Sequence, residues 1–217
     1  MSEGDAKRPF VVAIAGGSAT GKSTLAKALA AALADLNPVI LNQDRFFRDF
    51  AEYTPEERER VRTANSSNAM NWSAYHDALA GLIAGRAVTE PTSGTRAAQR
   101  GEGGRPIEPG GILIVEGLFA LWDEPTREAA DLKLFTEIDD DERVLRRIYR
   151  DITERNGELM SIMAWYRRDV KPNFPTFTLA TKVHADLIVP SNHPFDIPVS
   201  VLAPAIRAMK AEREKAG

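Results

Sequence analysis

The stretch Gly16-Gly17-Ser18-Ala19-Thr20-Gly21-Lys22-Ser23 decides the fold, because it satisfies G-x-x-x-x-G-K-[ST] and separates two segments of different periodicity. Before it, Phe10 to Ala15 is a short continuous apolar run of the kind that forms a buried strand; after it, Leu25 to Leu36 is Ala/Leu-rich with helical character. Strand, glycine turn and helix occur in the order phosphate binding requires. The glycines let backbone N–H groups form a nest for phosphate oxygens, and the helix start adds its positive dipole end. Gly16, Gly17, Ser18, Ala19, Thr20, Gly21, Lys22, Ser23 and Thr24 are therefore read as nucleotide-binding residues. Lys22 is expected on the outer phosphates, the Ser23 hydroxyl on Mg²⁺, and Thr24 on a further phosphate at the helix start.

Working outward, the same alternation continues. Pro38 to Leu41, Ile112 to Val115, Leu132 to Ile138 and Ala185 to Val189 read as strands; Pro55 to Arg62, Ser73 to Ala84, Asp140 to Glu154 and Pro204 to Lys215 read as helices. A glycine-rich interval runs from Ser93 to Gly111. Short apolar strands joined by helices predict an α/β chain with a central parallel sheet flanked by helices, since each crossover helix must bury its apolar side on the sheet. This is the P-loop NTPase fold, expected as a single domain over 1–217.

Composition narrows the partner. Charged residues make up 27% of the 217 and the formal net charge is −3, which leaves no overall basic field for non-specific nucleic-acid binding. The absence of cysteine removes disulfides, thiolate metal sites and a cysteine nucleophile, and is consistent with a reducing compartment. The start MSEGDAKRPF lacks the apolar core of a signal peptide, and no later run approaches the roughly 18 residues of a membrane span. The expectation is a cytoplasmic protein with a small-molecule partner, no nucleic acid and no membrane.

The loop is common to metabolite kinases, GTPases and motor or transporter ATPases. A GTPase would show an Asn/Thr-Lys-x-Asp segment, but Thr181-Lys182-Val183-His184 has histidine in place of the carboxylate. A transporter ATPase would carry an Asp-Glu pair where Ile112 to Val115 ends in the single carboxylate Glu116. A kinase remains. Asp44 follows the second strand, where it would share the crevice at the carboxyl end of the sheet and could accept the proton of an attacking hydroxyl. It would equally serve as a turn cap. Glu116 could orient water on Mg²⁺ or stand as a solvated strand end. The arginines of Arg146 to Arg155 could close over a triphosphate or lace a solvated helix.

Together, residues 16–24 (GGSATGKST), 43–47 (QDRFF), 112–117 (ILIVEG) and 146–155 (RRIYRDITER) resemble the uridine kinase branch of the phosphoribulokinase/uridine kinase family. Residues 170–174 (VKPNF) and 181–190 (TKVHADLIVP) extend the resemblance, which covers about Phe10 to Pro190. It implies Mg-ATP as donor, Asp44 as catalytic base alongside Lys22, and a helical arginine lid at roughly 146–170. In that lid Arg150 and Arg155 would meet the nucleotide phosphates and Arg147 the acceptor side. An acceptor-side insertion at roughly 45–110 and self-association into a homo-oligomer are also implied.

The acceptor side departs from the family pattern. Asn65-Ser66-Ser67 stands where uridine kinases carry Asp-His-Pro, and Ser93 and Ala98 stand for the base-contacting Tyr and His. Gly157 replaces an arginine and Trp165 a polar residue, whereas Arg100 fits the family spacing. Asn65, Phe46, Ser93, Arg100 and Trp165 are thus candidate acceptor residues, with Phe47 beside Phe46. The expectation is retained phosphoryl chemistry on a changed acceptor: a sugar, polyol, vitamin-like alcohol or altered nucleoside. Authentic uridine/cytidine kinase activity is the alternative, and a nucleotide-binding regulator without turnover is a further one.

Overall fold

The computed structural model describes residues 8–61 and 65–216. The first seven residues of the stretch read for a signal peptide, and Arg62 at the expected end of a helix, lie outside the described residues. The chain runs β1 (Phe10–Gly16), α1 (Lys22–Ala32), β2 (Pro38–Asn42), α2 (Pro55–Val61), α3 (Trp72–Ile83), β3 (Val88–Thr89), α4 (Arg96–Gln99) and β4 (Pro106–Ile107). It continues through β5 (Ile112–Glu116), α5 (Glu124–Ala129), β6 (Leu132–Glu137), α6 (Asp140–Thr153), α7 (Leu159–Trp165), α8 (Lys171–Phe177), β7 (Leu187–Pro190) and α9 (Asp196–Ala216).

Five strands form one sheet in the order β2-β5-β1-β6-β7, and each neighbouring pair is parallel. β1 is buried along its whole length and pairs with β5 on one side and β6 on the other. The chain leaves β1 for β2 on one flank and only later builds β6 and β7 on the other. The carboxyl end of β1 is therefore the switch point at which an open α/β sheet holds its ligands.

Both faces of the sheet are covered, as continuous apolar strands demand. On one face Leu25, Leu29 and Leu33 of the α1 segment meet Ile112 and Ile114 of β5, with Leu202 and Ile206 of α9 in the same cluster. On the other, Tyr75, Leu79 and Leu82 of α3 join Phe46 and Phe119 against Val11, Leu113 and Val115. β3 and β4 pair separately as a short antiparallel hairpin, and with α4 they form an arm over residues 88–107.

The strands and helices expected from the apolar pattern are present, and the structure adds β3, β4, α5, α7 and α8 to them, with two further differences. The glycine-rich interval contains α4, whose Thr95 side chain accepts from Ala98 N–H as an N-cap. α9 begins at Asp196 rather than Pro204. Pro198 lies in its first turn, where a missing N–H has no helical partner to lose, and Pro204 is carried inside the helix.

Leu29 is fully buried between the sheet and α9. Leu29→Ala is expected to destabilise the protein by about 2–5 kcal/mol through lost burial and an unfilled cavity. Urea unfolding checks this; a loss below about 1 kcal/mol would mean that α1 does not seat on the sheet as described.

Candidate active site

The phosphate loop is held by the strands beneath it. Gly16 has φ 145°, and a Cβ there would lie 2.3 Å from Thr136 Oγ1 on β6, so only glycine fits. The Thr20 hydroxyl is 2.8 Å from the Gly17 carbonyl and 2.6 Å from Thr136 Oγ1, tying the loop to the neighbouring strand. Ala19 takes φ 69°, a left-handed conformation that costs about 1–2 kcal/mol outside glycine, so this turn is strained where it would meet a ligand. Gly17 is covered by Arg143 of α6, whose guanidinium lies 3.8 Å over the Phe174 ring.

Lys22 and Ser23 sit at the first turn of α1. Lys22 is buried, and its ammonium donates to the Gly17 carbonyl at 2.8 Å. Burial pushes that ammonium below its usual range, and the Glu116 and Asp44 carboxylates pull it back. The Ser23 hydroxyl donates to Glu116 Oε1 at 2.8 Å. Glu116 ends β5 in register with Asn42 of β2, two residues before Asp44. Burial, and next the Asp44 charge, push Glu116 above the ordinary carboxylate range. The set of Ser23 hydroxyl and Glu116 carboxylate, with Asp44 beside it, offers oxygen alone, the chemistry of a hard divalent cation. Among the described residues no group of three or more His, Cys, Asp or Glu could hold a metal by themselves, so such an ion would draw its remaining ligands from phosphate and water.

Asp44 is exposed, in a 3-10 turn whose start is fixed by Asn42 Oδ1 accepting from Asp44 N–H at 2.7 Å. It borders a cavity of about 630 Å³ that also touches Ser18, Asn65, Arg147, Arg150, Arg155 and Trp165. The three arginines come from α6 and the turn after it and share one carboxylate, Asp151, at 3.5, 2.8 and 3.2 Å. Arg150 also reaches Ser18 Oγ at 3.4 Å, joining the helix to the phosphate loop. Arg147 lies under Trp165, its guanidinium 4.6 Å from the ring, and burial lowers it to about 10. Its Nε and Nη1, and the buried Asn65 side-chain amide nitrogen, have no hydrogen-bond partner among the described residues.

Arg100 borders the same cavity, on the arm, together with Phe47, Arg96, Glu102 and Leu118. Two expected acceptor residues lie elsewhere. Phe46 is fully buried in the core with its ring edge-on to Tyr75, because the turn after β2 sends it inward and sends Phe47 to the cavity. Ser93 is exposed on the loop before α4 and does not border the cavity. Gly157 closes the turn after α6, where a Cβ would lie 2.8 Å from the Asp151 carbonyl, so this backbone leaves no room for the side chain found in the resembling kinases.

A second cavity, of about 850 Å³, escaped the sequence reading. It runs along α1 past Gly21 and Thr24 and is closed by Arg146, by the segment after β7 from Ser191 to Asp196, and by the start of α9. The only sequence signal was the run of turn formers Ser191-Asn192-His193-Pro194 beyond the last strand.

A phosphate loop at the switch point of a parallel sheet, with arginines over it and a carboxylate after the second strand, defines a P-loop phosphotransferase. The chain belongs to the phosphoribulokinase/uridine kinase family, whose model matches residues 11–198. It is similar to the uridine kinase of Lactiplantibacillus plantarum, 33% identical over 209 residues that cover 96% of this chain and 100% of that one. Likeness to the uridine kinase of Streptococcus mutans is 36% over 186 residues, 85% of this chain and 88% of that one. Among solved structures, phosphoribulokinase from Rhodobacter spheroides shares the fold with a TM-score of 0.59 at 14% identity, over 88% of this chain and 75% of that one. No described helix is long and apolar enough to cross a membrane.

The raised Glu116 carboxyl gives a pH-dependent expectation. The folded chain binds that proton more tightly than the unfolded one. The resulting stability is fully present below the ordinary glutamate range and is lost as pH rises through the raised value. Without ligand, Glu116→Gln should therefore be more stable than the parent at pH 8, with the gap closing toward pH 4. Urea midpoints at the two pH values measure it, and an unchanging gap would refute the assignment.

Proposed function

We propose that this protein is an Mg-ATP-dependent kinase that transfers the γ-phosphoryl group to a hydroxyl of a small metabolite, with Asp44 as the general base. The observation that carries the reading is the single cavity bordered by Ser18 of the phosphate loop, by Asp44, and by Arg147, Arg150 and Arg155. Phosphoryl transfer needs little covalent help from a protein; it needs an in-line hydroxyl, a base within reach and positive charge around the transferring oxygens.

In this reading residues 16–24 wrap the phosphates, and Lys22 leaves the Gly17 carbonyl for the outer phosphates. Ser23 and Glu116 would hold Mg²⁺, which would supply positive charge to offset that of the phosphate oxygens. The arginines around Asp151 outnumber the carboxylates near them, an excess suited to a polyphosphate. The second cavity, beside Thr24, is the place for the donor's nucleoside. Residues 146–170 act as the lid and 45–110 as the acceptor side of one kinase domain over 1–217. A cytoplasmic setting and self-association complete the reading.

Asn65, Arg100 and Glu102, with Arg96, make the acceptor wall amide and charged, which supports a hydroxyl-rich polar acceptor. A second reading, uridine or cytidine as acceptor, draws on two observations. Relatives matching nearly the whole chain are named uridine kinase, and Phe47 and Trp165 bring two aromatic side chains to the border of the cavity. ADP release at saturating Mg-ATP across nucleosides, pentoses, hexoses and polyols separates the readings. The first expects kcat/KM for uridine below about 10⁴ M⁻¹s⁻¹ and a better acceptor elsewhere in the panel; a higher uridine value establishes the second. No stimulation by any compound would leave a nucleotide-binding regulator.

Asp44→Asn tests the chemistry. The amide keeps the shape of the carboxylate but cannot take the proton, so turnover should fall by roughly 10²–10⁴ while ATP affinity stays near that of the parent. A large loss of ATP affinity would instead assign Asp44 to the metal.

A further inference from the structure

Directly after Asp44, Arg45 holds an ionic assembly that no step of the proposed chemistry uses. Its side chain is 15% exposed, and its guanidinium grips Glu90, itself 6% exposed. Nε lies 3.1 and 3.0 Å from the two carboxylate oxygens, and Nη2 lies 2.6 Å from Oε2. Nη1 donates to Glu102 Oε2 at 2.8 Å, and Nη2 also donates to the Glu102 carbonyl. Arg100 completes the set by pairing with the same Glu102 carboxylate at 3.1 and 2.9 Å.

Glu90 and Glu102 stand at the two sides of the arm over residues 88–107. Glu90 N–H donates to the Arg105 carbonyl and Gly104 N–H to the Glu90 carbonyl, so the two sides are joined beside it. A separate backbone contact tethers the middle of the arm: Arg96 N–H donates to the Phe47 carbonyl at 2.8 Å, and Arg48 bridges Thr95. The base of the arm also rests on the core through Val88 and Ile107, and Ala97 of α4 is buried beneath it. Arg45 adds an ionic tie between the charged end of the arm and the turn that carries Asp44. The residues whose position is thereby set, Arg96, Arg100 and Glu102, border the same cavity as Asp44.

We infer that Arg45 is a positioning residue for the acceptor: it clamps the arm to the turn that carries Asp44 and so fixes the distance from the base to the acceptor-reading wall. This rests on the kinase reading above and adds to it a determinant of specificity outside the contact surface. A forked guanidinium is the group for the task, because it satisfies two carboxylates in one plane, whereas a lysine would offer a point charge. Cutting the clamp leaves Glu90 buried without its counter-charge, which favours release of the arm into water. Displacing a substrate-holding wall by about 1 Å is enough to lower turnover about 100-fold.

The test uses the full chain with Arg45→Met, Arg45→Lys and Glu90→Gln. Hydrogen–deuterium exchange of amides in residues 94–107, without ligand, should quicken about tenfold or more in Arg45→Met, while exchange in β1 and β5 stays as in the parent. With uridine as reference acceptor, and the best acceptor of the panel beside it, acceptor KM should rise about tenfold, with ATP KM within about twofold. Arg45→Lys should recover part of the loss, and Glu90→Gln should move acceptor KM in the same direction as Arg45→Met. Unchanged exchange in the arm, or acceptor and ATP KM rising together, would overturn the inference. If no compound stimulates ADP release from the parent, the kinase reading fails, and the exchange measurement still decides whether Arg45 is the clamp.

Discussion

The constraint on which the site depends is the double pairing of β1. A strand hydrogen-bonded on both sides and buried on both faces has one free direction, along its own axis, and its carboxyl end must release the chain at the level where β2 and β5 also end. Gly16, Asp44 and Glu116 reach one crevice for this reason, though they lie far apart in sequence. The covering helices keep it so. α1 and α9 on one face and α3 on the other bury the sheet, and α1 cannot shift without opening the Leu25 and Leu29 contacts that seat it. The strained Ala19 is held in place by this support and not by its own preference, whereas Gly21 takes its left-handed turn at no steric cost.

Upon that scaffold the protein keeps charge in places that charge alone would not choose. Lys22, Glu116 and Arg147 are all buried, and burial moves each toward its neutral form. One carboxylate, Asp151, serves three guanidinium groups, and two nitrogens of Arg147 have no hydrogen-bond partner among the described residues. Such an arrangement lowers the stability of the ligand-free chain and is relieved by a partner that brings its own charge and lone pairs, as a polyphosphate does. On the arm the balance differs. Arg45, Arg100, Glu90 and Glu102 satisfy one another, so that side of the cavity is fixed before any ligand arrives.

The sites legible in the sequence were those whose logic is local. The phosphate loop is contiguous, and Asp44 and Glu116 each follow a recognisable apolar run, so strand order was not needed to place them at strand ends. The arginines of residues 146–155 were legible as one helix, and helix geometry brings them near one another. Phe46 and Phe47 were not separable, because the sense in which the turn after β2 rotates decides which ring enters the core, and that sense is set by Tyr75 and Phe119 packing from elsewhere. Ser93 followed from spacing within a family pattern, which cannot register how the loop before α4 turns outward.

The sequence by itself determined the class of fold and the phosphate chemistry, because both are written in short-range patterns: apolar period, glycine positions, and a lysine and hydroxyl at the start of a helix. Tertiary structure decided what surrounds the reacting groups. Arg45 meets carboxylates 45 and 57 residues away, and the second cavity needs α1, the segment after β7 and the start of α9 to converge. Side chains brought together across such distances carry no periodic signal. Their pairing is selected by the packing of the whole sheet and its covering helices, and so only the folded chain displays it.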